Sequence, residues 1–360
     1  MTGTETFHLI NHPAHVVHEA LTGYSLHHPS LSYAPSHKLI YRSDLESFRT
    51  DHVTSIGFSG GGHEPMFAGF VGGNFLSAYV SGNIFASPTA AQILEAIRLC
   101  QPLGKGHPGT LIVCGNYTGD ILNAGLAITR AQALGYKVRF VPVGDDVAVG
   151  RRKGGKVGRR GLSGHLIALK IACALAESGA ELERVGSVME ETVKNIGTIG
   201  VSFDRVSLPT DSLAQLPLLP AHSVELGMGA HGEPGLQQLS PPPSPRDLIR
   251  NMLSLIADTS DEDRAFVPFQ TPGDHVVLVL NSLGSTSDAT LAKFAEMAKE
   301  DLQQRGMVVE RVTLGPLVTS LKMSGFAITV WRLPGQLENA LSRKEALALW
   351  DRHVDVVAWR

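Results

Sequence analysis

The sequence predicts an α/β protein of two domains whose sheets are mixed and largely parallel. Between residues 53 and 149, short apolar runs alternate with glycine-rich turns and with longer segments of helical pattern. Strand, helix and strand at this spacing are typical of βαβ units. The second half, from about residue 197, shows the same alternation. With 360 residues, 43% of them hydrophobic and 18% charged, the chain can build two cores. We expect one domain over residues 1–196 and a second over residues 197–360.

The predicted first domain places two reactive side chains at one edge of its sheet. His63 comes a few residues after the first strand, and Asp120 comes shortly after the second. Ligands of open α/β sheets bind beyond the carboxyl ends of the strands, so both side chains are expected at the ligand edge. The strands are predicted at residues 53–58, 110–114 and 137–143, and the helices near residues 88–98, 119–134, 162–178 and 182–196.

The predicted second domain continues with further strands and helices. A proline-bearing loop is expected over residues 211–221. The Leu-Ser-Pro-Pro-Pro-Ser-Pro stretch at 239–245 reads as a stiff surface connector, because consecutive prolines favour an extended backbone. The strands are predicted at residues 201–208, 224–228, 275–281, 308–314 and 326–332, and the helices at 246–256 and 289–305.

Composition argues against several classes of partner. A net charge of −3 gives no electrostatic reason to expect nucleic acid or an anionic membrane. The first residues lack the basic and apolar regions of a secretory signal, and no apolar run reaches the length of a membrane span. The three cysteines, Cys100, Cys114 and Cys173, are unclustered and lie in apolar surroundings, which predicts buried free thiols. A cytoplasmic location is therefore expected.

Histidines recur near the N-terminus at helix-like intervals, at positions 8, 12, 15 and 18. Such spacing would suit a metal site if other ligands were close. No cysteine or carboxylate completes a ligand set nearby, so a polar helix face is the favoured interpretation and no metal site is predicted.

Residues 151–160 form a basic, glycine-rich loop that carries six lysine and arginine side chains. One interpretation is contact with phosphate groups or with a nucleotide-carrying partner. The other is a solvated loop that leads into the following helix.

Three segments far apart in the chain combine a reactive side chain with glycines. They are residues 59–65 (Ser-Gly-Gly-Gly-His-Glu-Pro), 115–120 (Gly-Asn-Tyr-Thr-Gly-Asp) and 229–235 (Gly-Ala-His-Gly-Glu-Pro-Gly). Glycine supplies positive φ and removes the Cβ that would hold a substrate away. The pattern predicts catalytic roles and substrate contacts. The catalytic candidates are His231, His63 and Asp120, and the substrate-binding candidates are Ser59, Gly60, Gly61, Gly62, Gly115, Asn116 and Gly229.

These residue types suit carbonyl and proton chemistry. An imidazole between glycines can bring a ring nitrogen against a carbonyl carbon, which makes His231 a candidate nucleophile. A histidine and a carboxylate can handle a proton near neutral pH, which makes His63 and Asp120 candidate acid–base groups. The structural alternatives are turn histidines bonded to nearby backbone and, for Asp120, the N-cap of the following helix.

The ordered set of motifs resembles the dihydroxyacetone kinase family, specifically its ketose-binding DhaK domain. Gly-His-Glu-Pro at 62–65, Asn-Tyr-Thr-Gly-Asp at 116–120, Gly-Arg-Arg-Gly at 158–161 and the segment at 229–235 occur in the family's order. Shorter matches are Phe-Ala-Ser-Pro at 85–88 and Gly-Asp-Asp-Val at 144–147. The resemblance runs from about residue 9 to the end of the chain.

The resemblance implies a function for each catalytic candidate. His231 would bond covalently to the ketone carbon of the substrate as a hemiaminal, which selects dihydroxyacetone or glyceraldehyde over glycerol. His63 and Asp120 would handle the proton of the hydroxyl that attacks the γ-phosphoryl group. The family also implies a homodimer.

The phosphoryl donor is expected to come from outside this chain. The sequence has no Gly-x-x-x-x-Gly-Lys-Ser/Thr loop and no protein-kinase signature. The chain ends at Arg360 without room for the nucleotide-binding domain of fused family members. ATP–Mg or a phosphoprotein would therefore act through a separate DhaL-like subunit, and this chain alone is expected to bind no cofactor.

Three departures from the family pattern keep other functions open. Gly115 stands where a lysine is expected, Phe58 and Ser59 stand where glycines are expected, and Met66-Phe67 makes the first loop more apolar. One alternative is a diverged isomerase, lyase or cyclase that acts on a larger carbonyl substrate with the same His/His/Asp set. Another is a non-catalytic coactivator that binds the ketose and signals to a partner protein.

Overall fold

The computed structural model describes residues 8–102, 106–211, 219–335 and 341–359. They form two compact units that interleave along the chain. Unit N comprises residues 14–143, 165–193 and 334–360, and unit C comprises residues 1–13, 144–164 and 194–333. The largest segments of the two units are 14–143 and 194–333, and the domain boundary at residue 196 stays a prediction.

Unit N contains a six-stranded sheet in the order β1-β2-β4-β3-β5-β6. Strands β4, β3, β5 and β6 run parallel, and β1 and β2 add antiparallel pairs at one edge. The elements from residue 16 to residue 143 are α1 (Val16–His27), β1 (Leu31–Ala34), β2 (Leu39–Arg42), α2 (Leu45–Asp51), β3 (Thr54–Gly61), β4 (Ala78–Ile84), α3 (Ala90–Cys100), β5 (Thr110–Gly115), α4 (Thr118–Ala133) and β6 (Val138–Val143).

Every strand and helix predicted between residues 53 and 143 is present, with ends shifted by up to three residues. The apolar run Leu-Ile-Val-Cys of β5 is typical of a central parallel strand that is buried on both faces. The prediction missed α1, β1, β2, α2 and β4. β1 and β2 are four residues long each, and β4 (Ala-Tyr-Val-Ser-Gly-Asn-Ile) contains a glycine and an asparagine, which are depleted in strands.

The chain then forms a short helix and two longer ones before it enters the second sheet. These are α5 (Arg151–Gly154), α6 (Gly164–Glu177) and α7 (Leu182–Lys194). The two longer helices lie where they are predicted, within two residues at each end.

Unit C contains a second six-stranded sheet in the order β11-β10-β12-β7-β8-β9. Of its strand pairs, β10/β11 is parallel and the other four are antiparallel, so the expectation of a largely parallel sheet holds for unit N and not for unit C. Its elements, and the last helix of the chain, are β7 (Ile196–Ser202), β8 (Val224–Leu226), β9 (Gln237–Leu239), α8 (Pro245–Ala257), β10 (His275–Ser282), α9 (Asp288–Gln304), β11 (Val308–Gly315), β12 (Gly325–Arg332) and α10 (Arg343–Trp350).

The strand predicted at 201–208 is wrong in its position. Strand β7 begins at Ile196 and ends at Ser202, and all seven of its residues are buried. Gly197 and Gly200 weaken the local strand signal of this segment. Its register is set by pairing with β12 on one side and β8 on the other. Residues 212–218 of the predicted proline-bearing loop lie outside the described residues.

Phe58, which stands where the family pattern has a glycine, belongs to the core of unit N. Its side chain is fully buried in a cluster with residues of α3 and α4, such as Ile93 and Ala124. Successive side chains of a strand point to opposite faces. Phe58 therefore faces the helices, whereas the hydroxyl of Ser59 reaches Tyr79.

The three cysteines are buried and free, as predicted. Burial raises the pKa of the Cys100 and Cys173 thiols to about 12, so both stay protonated. In the described part of the chain, no helix combines the length and the apolar character that a membrane crossing requires.

Lys170 anchors the C-terminal helix of unit N. It lies in α6 with no exposed surface. Its Nζ donates hydrogen bonds to the carbonyl oxygens of Leu349 at 3.0 Å and Arg352 at 2.7 Å, at the end of α10. A cation here suits the negative end of the helix dipole. Burial nevertheless lowers the pKa of Lys170 to about 8.

This lowered pKa predicts a pH-dependent contribution to stability. Between about pH 8 and the ordinary lysine value of 10.5, the unfolded chain binds more protons at this position than the folded chain does. The contribution of Lys170 to the free energy of unfolding therefore rises with pH in that window and is constant below it. We expect the melting temperature of the wild type, minus that of Lys170→Met, to grow from pH 8 to pH 10.5. A difference that stays constant or shrinks in this window would contradict the assignment.

Candidate functional site

The carboxyl ends of β3 and β5 form a polar edge in unit N. The two strands pair in parallel, with Thr54 opposite Thr110 and Gly57 opposite Val113. Parallel neighbours end at the same edge of a sheet, so the chain following each strand meets there. The structure therefore brings together, within this unit, the predicted residues Ser59, Gly60, Gly61, Gly62, His63, Gly115, Asn116 and Asp120. Their contacts with a substrate stay a prediction.

His63 is held by its neighbours in unit N. It is 8% exposed, and its ring stacks on Phe85 with the centroids 4.9 Å apart and the planes at 22°. The next residue, Glu64, accepts the backbone N–H of Gly62 at 2.9 Å. Burial raises the pKa of the Glu64 carboxyl, although these backbone hydrogen bonds oppose the shift. The loop thus carries a confined imidazole beside a carboxyl group with a raised pKa.

A chain of hydroxyl groups lies at the same edge. Ser59 Oγ is 3.2 Å from Tyr79 Oη, and Tyr79 in turn donates to Ser81 Oγ at 3.2 Å. Tyr79 is fully buried, and burial and the nearby Glu64 raise its pKa, so it remains a phenol. The sequence prediction missed Tyr79 because it missed strand β4. Ser77, Tyr79 and Ser81 alternate with apolar residues along the chain, and this period-two pattern was the available signal.

Packing explains two of the glycines without a ligand. A Cβ on Gly60 would lie 2.6 Å from the backbone nitrogen of Ala86, which no side chain can accommodate. A Cβ on Gly115 would lie 3.0 Å from the Tyr117 ring and 3.2 Å from Cε1 of His165. His165 is buried and meets Phe67 edge to face, with the centroids 5.5 Å apart. Aromatic rings therefore fill the space beside Gly115, where the family pattern has a lysine.

Asp120 is the third residue of helix α4. The N-cap is Tyr117, so the alternative interpretation of Asp120 as the N-cap is wrong. Asp120 is 6% exposed and stands in the first turn, where the helix dipole favours a negative charge. After burial, its charge further raises the pKa of the Cys114 thiol. Asp120 is thus a confined carboxylate at the same edge as His63.

His231 lies in unit C on the loop between β8 and β9, and Glu233 braces it. His231 Nδ1 is 2.9 Å from Oε1 of Glu233, and the backbone N–H of His231 donates to Oε2 at 2.9 Å. Burial would raise the pKa of Glu233, but the hydrogen bond and charge of His231 outweigh it and lower the pKa to about 2. A carboxylate that accepts the Nδ1 proton leaves the lone pair of the neutral imidazole on Nε2.

One hydrogen bond and two closely packed glycines shape the His231 loop. Ser320 Oγ donates to the carbonyl oxygen of Ala230. A Cβ on Gly232 would lie 2.8 Å from Val206, and a Cβ on Gly229 would overlap Oε2 of Glu233. Gly229 is therefore required for the carboxylate to fold back onto the loop. A cavity of about 20 Å³ beside the loop, lined by Met228, Gly229, Ala230 and residues of β10 and the 316–324 segment, is too small for a ketose.

Both reactive loops use the same local device. In the first, the carboxyl of Glu64 accepts the backbone N–H of Gly62, and in the second, the carboxylate of Glu233 accepts that of His231. Each glutamate thus bonds to the amide two residues before it. This accounts for the similar His-Glu-Pro and His-Gly-Glu-Pro sequences.

Several arginine side chains of the basic loop, residues 151–160, make contacts within unit C. Arg151 donates to the carbonyl oxygens of Glu262 and Ala265. Arg159 donates to those of Asp145 and Ile196, and its guanidinium lies 4.5 Å from the centroid of the Phe266 ring. Arg160 pairs with Asp146, as described below. These arginines brace unit C, which neither interpretation of the loop anticipated.

No group of three or more histidine, cysteine, aspartate or glutamate side chains among the described residues could hold a metal ion.

A family model described as the Dak1 domain matches residues 22–357. The chain is 40% identical to dihydroxyacetone kinase 1 of Saccharomyces cerevisiae over 319 residues, which cover 87% of this chain and 53% of that protein. It is 35% identical to the Triokinase/FMN cyclase of Homo sapiens over 342 residues, which cover 95% of this chain and 58% of that protein. The chain thus spans about half the length of the curated relatives it matches.

Solved structures show the same fold. The native dihydroxyacetone kinase of C. freundii superposes with a TM-score of 0.81 at 29% identity, over 99% of this chain and 60% of that chain. The dihydroxyacetone kinase operon co-activator Dha-DhaQ superposes with a TM-score of 0.82 at 26% identity, over 95% of this chain and 97% of that chain.

Proposed function

Because the chain belongs to the Dak1 domain family, we propose that it captures a small carbonyl compound of the dihydroxyacetone type as a hemiaminal on His231. The observation that carries this proposal is the His231–Glu233 pair. Its hydrogen bond of 2.9 Å holds the proton on Nδ1 and leaves the lone pair on Nε2, as a nitrogen nucleophile requires.

The bond-forming step balances without any co-reactant. The Nε2 lone pair forms a bond to the carbonyl carbon, and the C=O π pair moves onto oxygen, which takes a proton. The Nδ1 proton leaves through the Glu233 carboxylate, so the net change is addition of N–H across C=O. Glycerol has no carbonyl and cannot react, which gives a selectivity that shape alone does not provide among small polyols.

His63 and Asp120 are proposed as the acid–base groups of a phosphoryl transfer. Two observations support these roles: both side chains are largely buried, and both follow neighbouring parallel strands of unit N. The base would remove the proton of a substrate hydroxyl as that hydroxyl attacks the phosphoryl donor. A nucleotide-carrying partner would supply the donor.

The test is isotope-edited NMR of the full chain labelled with ¹⁵N-histidine, with dihydroxyacetone that carries ¹³C at the carbonyl carbon. We expect a protein-bound tetrahedral carbon resonance with a one-bond coupling to an imidazole nitrogen. Free dihydroxyacetone and its hydrate cannot show this coupling. If no ¹³C–¹⁵N coupling appears at saturating ligand, covalent capture is ruled out.

A second candidate function is a different reaction of the bound carbonyl compound, without a phosphoryl donor. Gly115 favours it, since this position supplies no cationic side chain beside the Tyr117 and His165 rings. Turnover of carbonyl or nucleotide-derived substrates by this chain in the absence of ATP would support this candidate. Turnover that depends strictly on a nucleotide-carrying partner would exclude it.

A further inference from the structure

A buried ion pair lies behind the His231 loop in unit C. Asp146 is fully buried, and its Oδ2 accepts from Arg160 at 2.7 Å. Its other oxygen accepts the backbone N–H of Ala148 at 2.8 Å. Although the nearby Arg160 opposes the shift, burial raises the pKa of Asp146 to about 6. None of the roles proposed above uses this pair.

Arg160 extends from Asp146 to the base of the reactive loop. Its Nη2 donates to the carbonyl oxygen of Gly227 at 2.8 Å, just before the loop. A Cβ on Gly229 would lie 2.5 Å from Nη1 of Arg160 and would also overlap Oε2 of Glu233. The guanidinium and the Glu233 carboxylate therefore flank Gly229 from the same side. The charged groups follow in the order Asp146, Arg160, Glu233 and His231.

We propose that Arg160 and Asp146 are positioning residues that set the protonation of His231 through Glu233. This inference rests on the proposed function, in which the neutral imidazole of His231 is the nucleophile. Arg160 offsets part of the negative charge of Glu233 and so limits the tendency of His231 to take a proton. Asp146 in turn limits the positive charge that Arg160 presents to the loop.

The two charges act on His231 in opposite directions. An added positive charge nearby disfavours imidazolium, and an added negative charge favours it. Removing the Arg160 charge should therefore raise the pKa of His231 and shrink the neutral, nucleophilic fraction at neutral pH. Removing the Asp146 charge should lower the pKa of His231. If Arg160 and Asp146 had only a structural role, the two substitutions would not shift the pKa of His231 in opposite directions.

Other charged groups lie on the elements around this loop and stay unchanged in the test. Arg205 and Glu225 pair with each other at 2.7 Å, and Glu225 also accepts the backbone N–H of Gly235 at 2.5 Å. Burial lowers the pKa of His8, and Lys322 and Asp211 act on this pKa in opposite directions. Variants at positions 146 and 160 leave all of these groups in place.

The experiment is an NMR titration of the ¹⁵N-labelled His231 imidazole in the full chain, without ligand. We expect Arg160→Met to raise the His231 midpoint and Asp146→Asn to lower it, each by roughly 0.5 to 1 unit. Arg159→Met is the matched control. It removes the neighbouring guanidinium, which donates to the carbonyl oxygens of Asp145 and Ile196 and lies against the Phe266 ring, and should shift the midpoint less than Arg160→Met does.

Arg160→Lys is the conservative control, which separates loss of the charge at position 160 from a failure of the variant to fold. It keeps the charge and should leave the midpoint near that of the wild type. Shifts of equal sign in Arg160→Met and Asp146→Asn, or no shift in either folded variant, would overturn the inference. The titration needs no substrate, so it still gives an answer if the wild type forms no adduct. Absence of the adduct would then refute the proposed function alone.

Discussion

Replacing His231 by asparagine is expected to abolish covalent capture of dihydroxyacetone and to weaken its binding at least about 100-fold, or roughly 2.7 kcal/mol. An amide nitrogen has no available lone pair, so no bond to the carbonyl carbon can form. Asparagine is smaller than histidine and polar, and the Glu233 backbone bond can persist. Isothermal titration calorimetry measures the affinity, and the ¹³C–¹⁵N coupling reports the adduct.

Asp120→Asn is the matched comparison for this prediction. It removes a proposed acid–base group from unit N without touching the His231 loop. We expect the equilibrium adduct on His231 to persist. In the presence of a competent nucleotide-carrying partner, phosphoryl transfer should fall by about 10² to 10⁴-fold. An adduct that survives in His231→Asn, or one that disappears in Asp120→Asn, would reverse the assignment of the two residues.

Truncation of Phe58 to alanine is expected to destabilise unit N by about 3–5 kcal/mol. The ring is fully buried among residues of α3 and α4, so its loss leaves a cavity that close-packed neighbours cannot fill. Urea denaturation followed by circular dichroism measures the change in the unfolding free energy. Under conditions in which the variant is folded, the His231 adduct should form as in the wild type.

Phe58→Leu is the control for the truncation. It keeps most of the apolar volume and should cost less than about 1.5 kcal/mol. A small effect of Phe58→Ala on stability, combined with a large effect on ligand affinity, would instead place Phe58 at a ligand pocket beside the glycine-rich loop.

The sequence predicted most closely the elements with strong, uniform signals. Strand β5 and helix α4 carry apolar patterns and glycines mark the end of β3, and these elements position His63 and Asp120 at one sheet edge as expected. Strands β1 and β2 escaped because they are short, and β4 escaped because it contains a glycine and an asparagine, which are depleted in strands. The mainly antiparallel order of the second sheet escaped for a related reason, since strand direction follows from connections between elements and not from local pattern.

Side chains that act through another residue were the hardest to find. Tyr79 is distant in sequence from Ser59, His165 from Gly115 and Arg160 from Gly227, and only the folded chain brings each pair together. Glu233 lies in the 229–235 segment, but the sequence pattern indicated a function only for His231 and Gly229 of that segment. Its role depends on a side chain folding back onto its own loop, a geometry that residue type does not announce.

The paired glutamate braces have a consequence for how the protein meets its ligand. Glu64 and Glu233 each tie a reactive segment to itself through a neighbouring amide. The conformation of each segment is therefore determined by a few consecutive residues and is formed before a ligand binds. Little ordering entropy remains to be lost on association, so tight recognition of a very small molecule becomes attainable despite the few atoms it offers.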